Sequence, residues 1–356
     1  MKQIRLKKVA LNMQQMGIEQ LIVSDPLSIF YLTDIYLDPG KRLFALLIKS
    51  DASATLFLNR LFPIKEQPGL TTLYHSDGDD AVAMLAEHLA DSVLGVDKTW
   101  PANFLLKLME KRHALRPVIG SQAVDNARRY KDAEEIGLMR KASALNDAVM
   151  AKAISALKDG ITERELVGII SNLHVEHGAD SAQSQLVCYG VGSCEPHHEP
   201  GFAAVSKGDN VLLDIFAPVN RYWCDMTRTV FYKSASKEQL KVYDAVKSAN
   251  LAGIAAVRPG ATMASIDYAA RKVIEEAGYG KFFTHRLGHG IGLDVHEPPD
   301  CSSVSTAIAE PGMCFSIEPG IYLPDMWGVR IEDLVVVTED GVEVFNSYTK
   351  EPQIIG

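Results

Sequence analysis

Apolar residues recur at helical spacing over residues 4–16, and Gly17 ends the run. A short apolar block, Leu21-Ile22-Val23, predicts a buried strand, and Asp25-Pro26 predicts a turn after it. Residues 44–48 and 54–58 read as further strands. Residues 82–94 have an amphipathic helical pattern, and Val96-Asp97 turns into the next segment. Strands and helices alternating in this rhythm predict a small α/β domain. No glycine-rich fingerprint follows its first strand, and the stretch offers no candidate for catalysis.

Across residues 126–135 the pattern turns charged, and a long helical period then runs to about Lys158. The change places a domain boundary near Ala127, giving domains of 1–126 and 127–356. The larger domain reads as two helices, a strand hairpin, two more helices over 237–257 and 263–277, and a second hairpin. Its halves share this order without sharing sequence, a hint of internal duplication. The expected class is α+β.

Composition narrows the setting. A chain of 356 residues with 47% hydrophobic and 23% charged residues is globular and long enough for two domains. With 36 basic against 45 acidic residues the net charge is −9, so neither nucleic acid nor an anionic membrane is an expected partner. The acidic surplus is either a solvated surface or carboxylates gathered for cations. No apolar stretch approaches a membrane span, and no signal-type apolar core follows the basic N-terminus. Five cysteines without CxxC spacing disfavour a disulfide scaffold or a cysteine-rich zinc site, so a cytoplasmic protein with reduced thiols is expected.

The two hairpins of the larger domain carry the candidate chemistry. With the first turn centred between Val219 and Asn220, Asp214 falls opposite Asp225. With the second centred on Asp325, Glu318 falls opposite Glu332. Directly opposed side chains have Cβ atoms about 5 Å apart, and like charges there destabilise a sheet unless a cation sits between them. A register slip of one would instead leave a pair on a solvated rim, but Ile215, Phe216, Ile317 and Ile331 mark buried strands. A third segment, from His285 through Gly288-His289-Gly290-Ile291-Gly292 to His296, lets the backbone crowd close to a site while His289 projects into it. His197-His198 follows Pro196 in another loop. One imidazole with four carboxylates forms a coherent ligand set whose charge balances two divalent ions. Oxygen-rich ligation suits Mn²⁺ or a similar ion better than a thiolate-type zinc site. Two metals about 3.5–4 Å apart can share a hydroxide for amide hydrolysis, which points to a dinuclear metallohydrolase.

The ordered set Asp214, Asp225, His289, Glu318, Glu332, with His296-Glu297-Pro298-Pro299, Ile317-Glu318-Pro319-Gly320 and Val329-Arg330-Ile331-Glu332-Asp333 around it, resembles the pita-bread metallopeptidases. These include prolidase, aminopeptidase P and methionine aminopeptidase. The resemblance runs from about Arg129 to the end, while the N-terminal part resembles the creatinase-like domain shared by prolidase and aminopeptidase P. It implies two divalent ions, Mn²⁺ first with Co²⁺ or Zn²⁺ as alternatives. Asp214 would chelate one metal, Asp225 and Glu332 would bridge, and His289 and Glu318 would complete the second. It further implies Glu318 as the proton shuttle, His197 and His296 as cleft histidines steadying the oxyanion, and His285 and Tyr322 behind them. Arg330 would meet the substrate's carboxyl end, its alternative being an ion pair with Asp333 or the metal acids.

Two departures are Asp214-Ile215-Phe216, where many relatives have Asp-x-Gly, and Arg286. His198 receives no role and reads as a surface loop residue. The length and the N-terminal domain make the chain most similar to bacterial Xaa-Pro dipeptidases, which implies dipeptide substrates with C-terminal proline and a homodimer. Residues 36–42 are the candidate lid of that dimer, with a plain exposed turn as the alternative. Aminopeptidase P activity on longer peptides, or a non-catalytic binding protein on the same scaffold, are the alternatives.

Overall fold

The computed structural model describes all residues, 1–356, which divide into two units, Met1–Arg128 and Arg129–Gly356. In the first, α1 (Gln3–Gln15) stops ahead of Gly17, whose φ of +68° ends the helix. Strand β1 (Gln20–Val23) leads into α2 (Pro26–Thr33). The expected turn at Asp25-Pro26 is therefore a helix start: the Asp25 carboxylate accepts the amide of Ser28, and Pro26 occupies the first helical position.

Strands β2 (Ala45–Lys49), β3 (Ala54–Asn59) and β4 (Thr71–His75) follow. Helix α3 (Ala81–Ala86), capped by Asp80, is shorter than the pattern over 82–94 implied. The end of that stretch is β5 (Val93–Val96), because a short apolar run fits a buried strand as well as a helix. Helix α4 (Ala102–Lys111), β6 (Arg116–Ile119) and α5 (Gln122–Arg129) complete the unit. Its six strands lie in the order β4-β3-β2-β1-β5-β6 over a core that includes Ile22, Leu47, Phe57, Leu85 and Leu108.

The second unit opens with α6 (Ala133–Ser155) and α7 (Glu163–Glu176), each begun by a capping box, then β7 (Leu186–Tyr189), β8 (Asn210–Val219) and β9 (Tyr222–Tyr232). Helices α8 (Lys237–Ala256) and α9 (Met263–Glu276) precede β10 (Gly288–Gly290) and β11 (Glu297–Cys301). The chain closes with β12 (Cys314–Ile317), β13 (Gly320–Leu323), β14 (Trp327–Arg330), β15 (Asp333–Val337), β16 (Val342–Val344) and β17 (Ile354–Ile355). The sheets are ordered β17-β9-β8-β7 and β11-β10-β12-β15-β16, with β13-β14 as a separate pair.

Both halves use the same local devices. Gly160, Thr162 and Gly178 recur as Gly260, Thr262 and Gly278 at matching turns and caps. Asn146 on α6 donates to the carbonyl of Ile215, and Asn250 on α8 donates to that of Ile317, so each helix braces a strand beside an acidic residue. No helix is long and apolar enough to cross a membrane. All five cysteines are free, and only Cys194 is not buried.

The registers differ from the sequence expectation in an instructive way. Strands β8 and β9 join through Asn220 and Arg221, with φ of +49° and +69°, as a two-residue primed turn requires. Asp214 consequently pairs with Thr227, and Asp225 with Phe216. The slip is an even one, so both aspartates still share a face. In the second hairpin Leu323 does pair with Trp327 about Asp325, but the ladder is interrupted between Gly320↔Arg330 and Ile317↔Asp333. Pro319 has no N–H to donate at that break. The Glu318 amide goes to Leu287 O, just ahead of β10, at 2.8 Å and the Glu332 amide to Thr227 O on β9 at 3.1 Å, so the two glutamates hang from different neighbouring segments rather than forming a ladder pair.

Candidate metal centre

Four strand segments converge on one cavity of about 700 Å³ in the second unit. Its wall includes Asp214, Asp225, His289, Glu318 and Glu332, together with His197, His285, His296 and Arg330. Asp225, His289 and Glu332 are buried, and a ligand atom from each lies within 4.8 Å of the others. Glu318 Oε1 stands 3.4 Å from His289 Nε2. Asp214 is half-buried, and its charge bears on Asp225, Glu318 and Glu332.

The histidine is set by its surroundings. Gly288 runs so close to β12 that a Cβ there would sit 1.9 Å from the carbonyl oxygen of Ser316, so only glycine fits. The His289 amide donates to Ser316 Oγ at 3.0 Å, and that hydroxyl donates to Glu318 Oε1 at 3.0 Å. His289 Nδ1 donates to the carbonyl of Gly290 at 3.1 Å, which leaves the Nε2 lone pair facing the acids. The ring of His296 meets that of His289 edge-on, with centroids 4.2 Å apart.

Arg330 is buried with its three nitrogens occupied. Nη2 donates to Asp214 Oδ2 at 2.7 Å, Nη1 to the Tyr322 hydroxyl at 2.9 Å, and Nε to Thr227 Oγ1 at 3.0 Å. Tyr322 donates onward to His285 Nε2 at 2.9 Å, and Thr227 donates to Glu332 Oε2 at 2.7 Å. Asp333 faces away from this network and pairs with Arg228 and Lys350. Arg286 also lines the cavity and pairs with exposed Asp300 at 2.9 Å.

Electrostatics show a cluster short of positive charge. Burial, reinforced by Glu332 and Asp214, pushes the Asp225 carboxyl well above its ordinary range. Burial, with the charges of Glu318 and Asp214, does the same to Glu332 against the opposing pull of Arg330. Burial also raises Glu318, while it lowers His289 to about 4 and lowers His285 and His296. Neutral imidazole beside carboxylates that lack a counter-charge is the state a cation would bind. Asp214 Oδ1, Asp225 Oδ1 and Glu332 Oε1 are buried with no hydrogen-bond partner, and divalent metal satisfies such oxygens. The residues present therefore fit a metal.

The structure brings Asp214, Asp225, His289, Glu318, Glu332, His285, His296, His197, Tyr322 and Arg330 into one neighbourhood, with His197 and His296 the more exposed of them. Sequence reasoning missed Thr227, which links Glu332 to Arg330, and Ser316, which links the His289 amide to the Glu318 carboxylate. Strand alternation held the signal, since Thr227 follows Asp225 by two and Ser316 precedes Glu318 by two. It also misjudged His198. That residue is half-buried, lines the cavity, and bonds through Nε2 to the buried carboxylate of Glu163 at 3.0 Å.

Residues 137–339 match Metallopeptidase family M24, and residues 5–130 match the Creatinase/Prolidase N-terminal domain. An uncharacterized peptidase of Staphylococcus epidermidis is 34% identical over 352 residues, 97% of this chain and 99% of that protein. Among solved structures, prolidase of Thermococcus sibiricus is 32% identical with a TM-score of 0.92, covering 100% of both chains. Xaa-Pro dipeptidase of Bacillus anthracis is 27% identical with a TM-score of 0.92, covering 99% of each. The α+β expectation, a small creatinase-like α/β domain followed by a pita-bread domain, agrees with these matches.

Proposed function

Because the chain belongs to metallopeptidase family M24, we propose that it hydrolyses the peptide bond preceding proline in Xaa-Pro dipeptides. The observation that carries this reading is the set of three orphaned carboxylate oxygens beside a neutral imidazole and a buried arginine in one cavity. The likeness to a prolidase and to an Xaa-Pro dipeptidase over nearly the whole chain supports the substrate class.

Asp214, Asp225, His289, Glu318 and Glu332 would hold two divalent ions, Mn²⁺ first with Co²⁺ or Zn²⁺ as alternatives. When bound, such ions neutralise the acidic cluster, polarise the scissile carbonyl and lower the pKa of a water. Glu318, held by Ser316 and raised by burial, takes the proton from the attacking water and delivers it to the departing proline nitrogen. His296 and His197, on the cavity wall, donate to the carbonyl oxygen as it gains charge. Arg330, braced by Tyr322 and Thr227 and ion-paired with Asp214, adds positive charge to the cavity toward the substrate's carboxyl end, and His285 holds Tyr322 in place. Leu186, Phe216 and Val295 give the cavity an apolar wall for the proline ring. The reading includes a cytoplasmic homodimer, with residues 36–42 as a lid over the partner's cleft.

Hydrolysis of a panel of Xaa-Pro dipeptides, with Mn²⁺ or Co²⁺ and with chelator, tests the proposal. Metal-dependent release of proline is expected, falling by a factor on the order of 10²–10⁴ in Glu318→Ala. Failure to cleave any dipeptide at any metal loading would end it. Cleavage of longer Xaa-Pro peptides at comparable rates would replace it with aminopeptidase P activity.

A further inference from the structure

Glu163 is a buried acid that the chemistry above does not use. It sits in the first turn of α7, only 1% exposed, with both carboxylate oxygens committed. Oε1 accepts the amide of Tyr189 at 2.8 Å, the last residue of β7. Oε2 accepts the amide of Gly201 at 2.7 Å and His198 Nε2 at 3.0 Å. One carboxylate thus ties together both ends of the loop over residues 190–201 and a side chain in its middle. Two further backbone bonds fasten the far end, from Glu163 N to Ala203 O and from Arg164 N to Gly201 O, each 3.1 Å.

The fit around this carboxylate is close. A Cβ on Gly192 would lie 3.0 Å from the His198 ring and 3.3 Å from Glu163 Oε1, so the first turn of the loop packs directly on the pair. Beyond it, Gly328 N donates to Ser193 Oγ at 2.8 Å, joining the loop to β14, whose last residue is Arg330. The span held this way carries Pro196 and His197 on the cavity wall, and the exposed His197 ring makes no hydrogen bond or ion pair of its own. A side chain without anchors of its own can be held only through the backbone on either side.

We propose that Glu163 and His198 are positioning residues: their hydrogen bond clamps the loop over residues 190–201 so that His197 faces the metal cavity. The inference rests on the peptidase reading for its kinetic consequence, but the clamp itself is a statement about the loop. Adjacent histidines then divide the labour, His198 turned to the buried acid and His197 to the cavity. Fixing the geometry of a cavity donor acts mainly on turnover, because small displacements of a positioned group lower the rate more than they weaken binding.

His198→Ala and His198→Gln separate this from a general packing role, since the glutamine amide can donate to Glu163 as Nε2 does. In the metal-loaded enzyme, His198→Ala should lower kcat on an Xaa-Pro dipeptide by about tenfold to a hundredfold. KM and metal content should change by less than about threefold, and His198→Gln should recover most of kcat. Hydrogen–deuterium exchange should quicken across residues 190–201 in His198→Ala and return toward wild type in His198→Gln. Equal kcat losses in both variants, or unchanged exchange in His198→Ala, would overturn the clamp. A wild-type protein that cleaves no Xaa-Pro dipeptide would sink the function reading alone, and the exchange comparison would still decide the clamp.

Discussion

At the scale of single residues, the centre depends on side chains that touch its acids from behind. Thr227 accepts from Arg330 Nε and donates to Glu332 Oε2, so one hydroxyl orients both a cation and a candidate ligand. Thr227→Val keeps the shape and removes both bonds, leaving a buried guanidinium N–H and a carboxylate oxygen without partners. The expected result is a loss of metal affinity of about tenfold to a hundredfold with the fold intact, read by calorimetric titration with Mn²⁺. Unchanged affinity would show that Glu332 is held by other means. The five candidate ligands could be picked from the chain because carboxylates and histidine amid apolar strands are chemically conspicuous. Thr227 could not, since threonine in a strand is ordinarily there for its β-branch.

At the scale of elements, helices and strands were largely readable from periodicity, whereas their joints were not. The β8–β9 turn lies one residue later than expected because Asn220 and Arg221 both adopt positive φ, which periodicity does not report. Helix α7 makes a testable contribution through His174, whose Nε2 donates to Asn146 Oδ1 at 2.8 Å, while Asn146 reaches Ile215 O beside Asp214. Burial lowers the His174 pKa from an ordinary 6.5 to about 4. The unfolded chain therefore binds this proton first as pH falls, and the stability that His174 contributes above pH 6.5 is lost progressively toward pH 4. A shift of that size corresponds to about 3 kcal/mol. His174→Gln should make denaturant midpoints fall less steeply than wild type between those pH values. Parallel curves for the two proteins would show that His174 is protonated equally in both states.

At the scale of the whole molecule, the acidic surplus divides in two. Four of the 45 acids, Asp214, Asp225, Glu318 and Glu332, are the candidate ligands at one cavity, while others lie on the surface, form ion pairs or, like Glu163, accept buried hydrogen bonds. Two divalent ions would take the formal charge from −9 to about −5. Metal that binds only the folded protein at a hundred times its Kd adds about 2.7 kcal/mol of stability. Scanning calorimetry with Mn²⁺ against chelator should therefore raise a transition by about 5–10 °C. An unmoved thermogram would contradict metal binding at this centre. The sequence alone determined the α+β class and the order of helices and hairpins, and it marked the acids and the histidine as candidates, because side-chain period and charge are local properties. Tertiary structure decided what faces them. It broke the second hairpin at Pro319 and hung Glu318 and Glu332 from different segments of the chain. It also placed Thr227, Ser316 and Glu163 behind the site, since which strands and loops meet is set by packing between segments far apart in the chain.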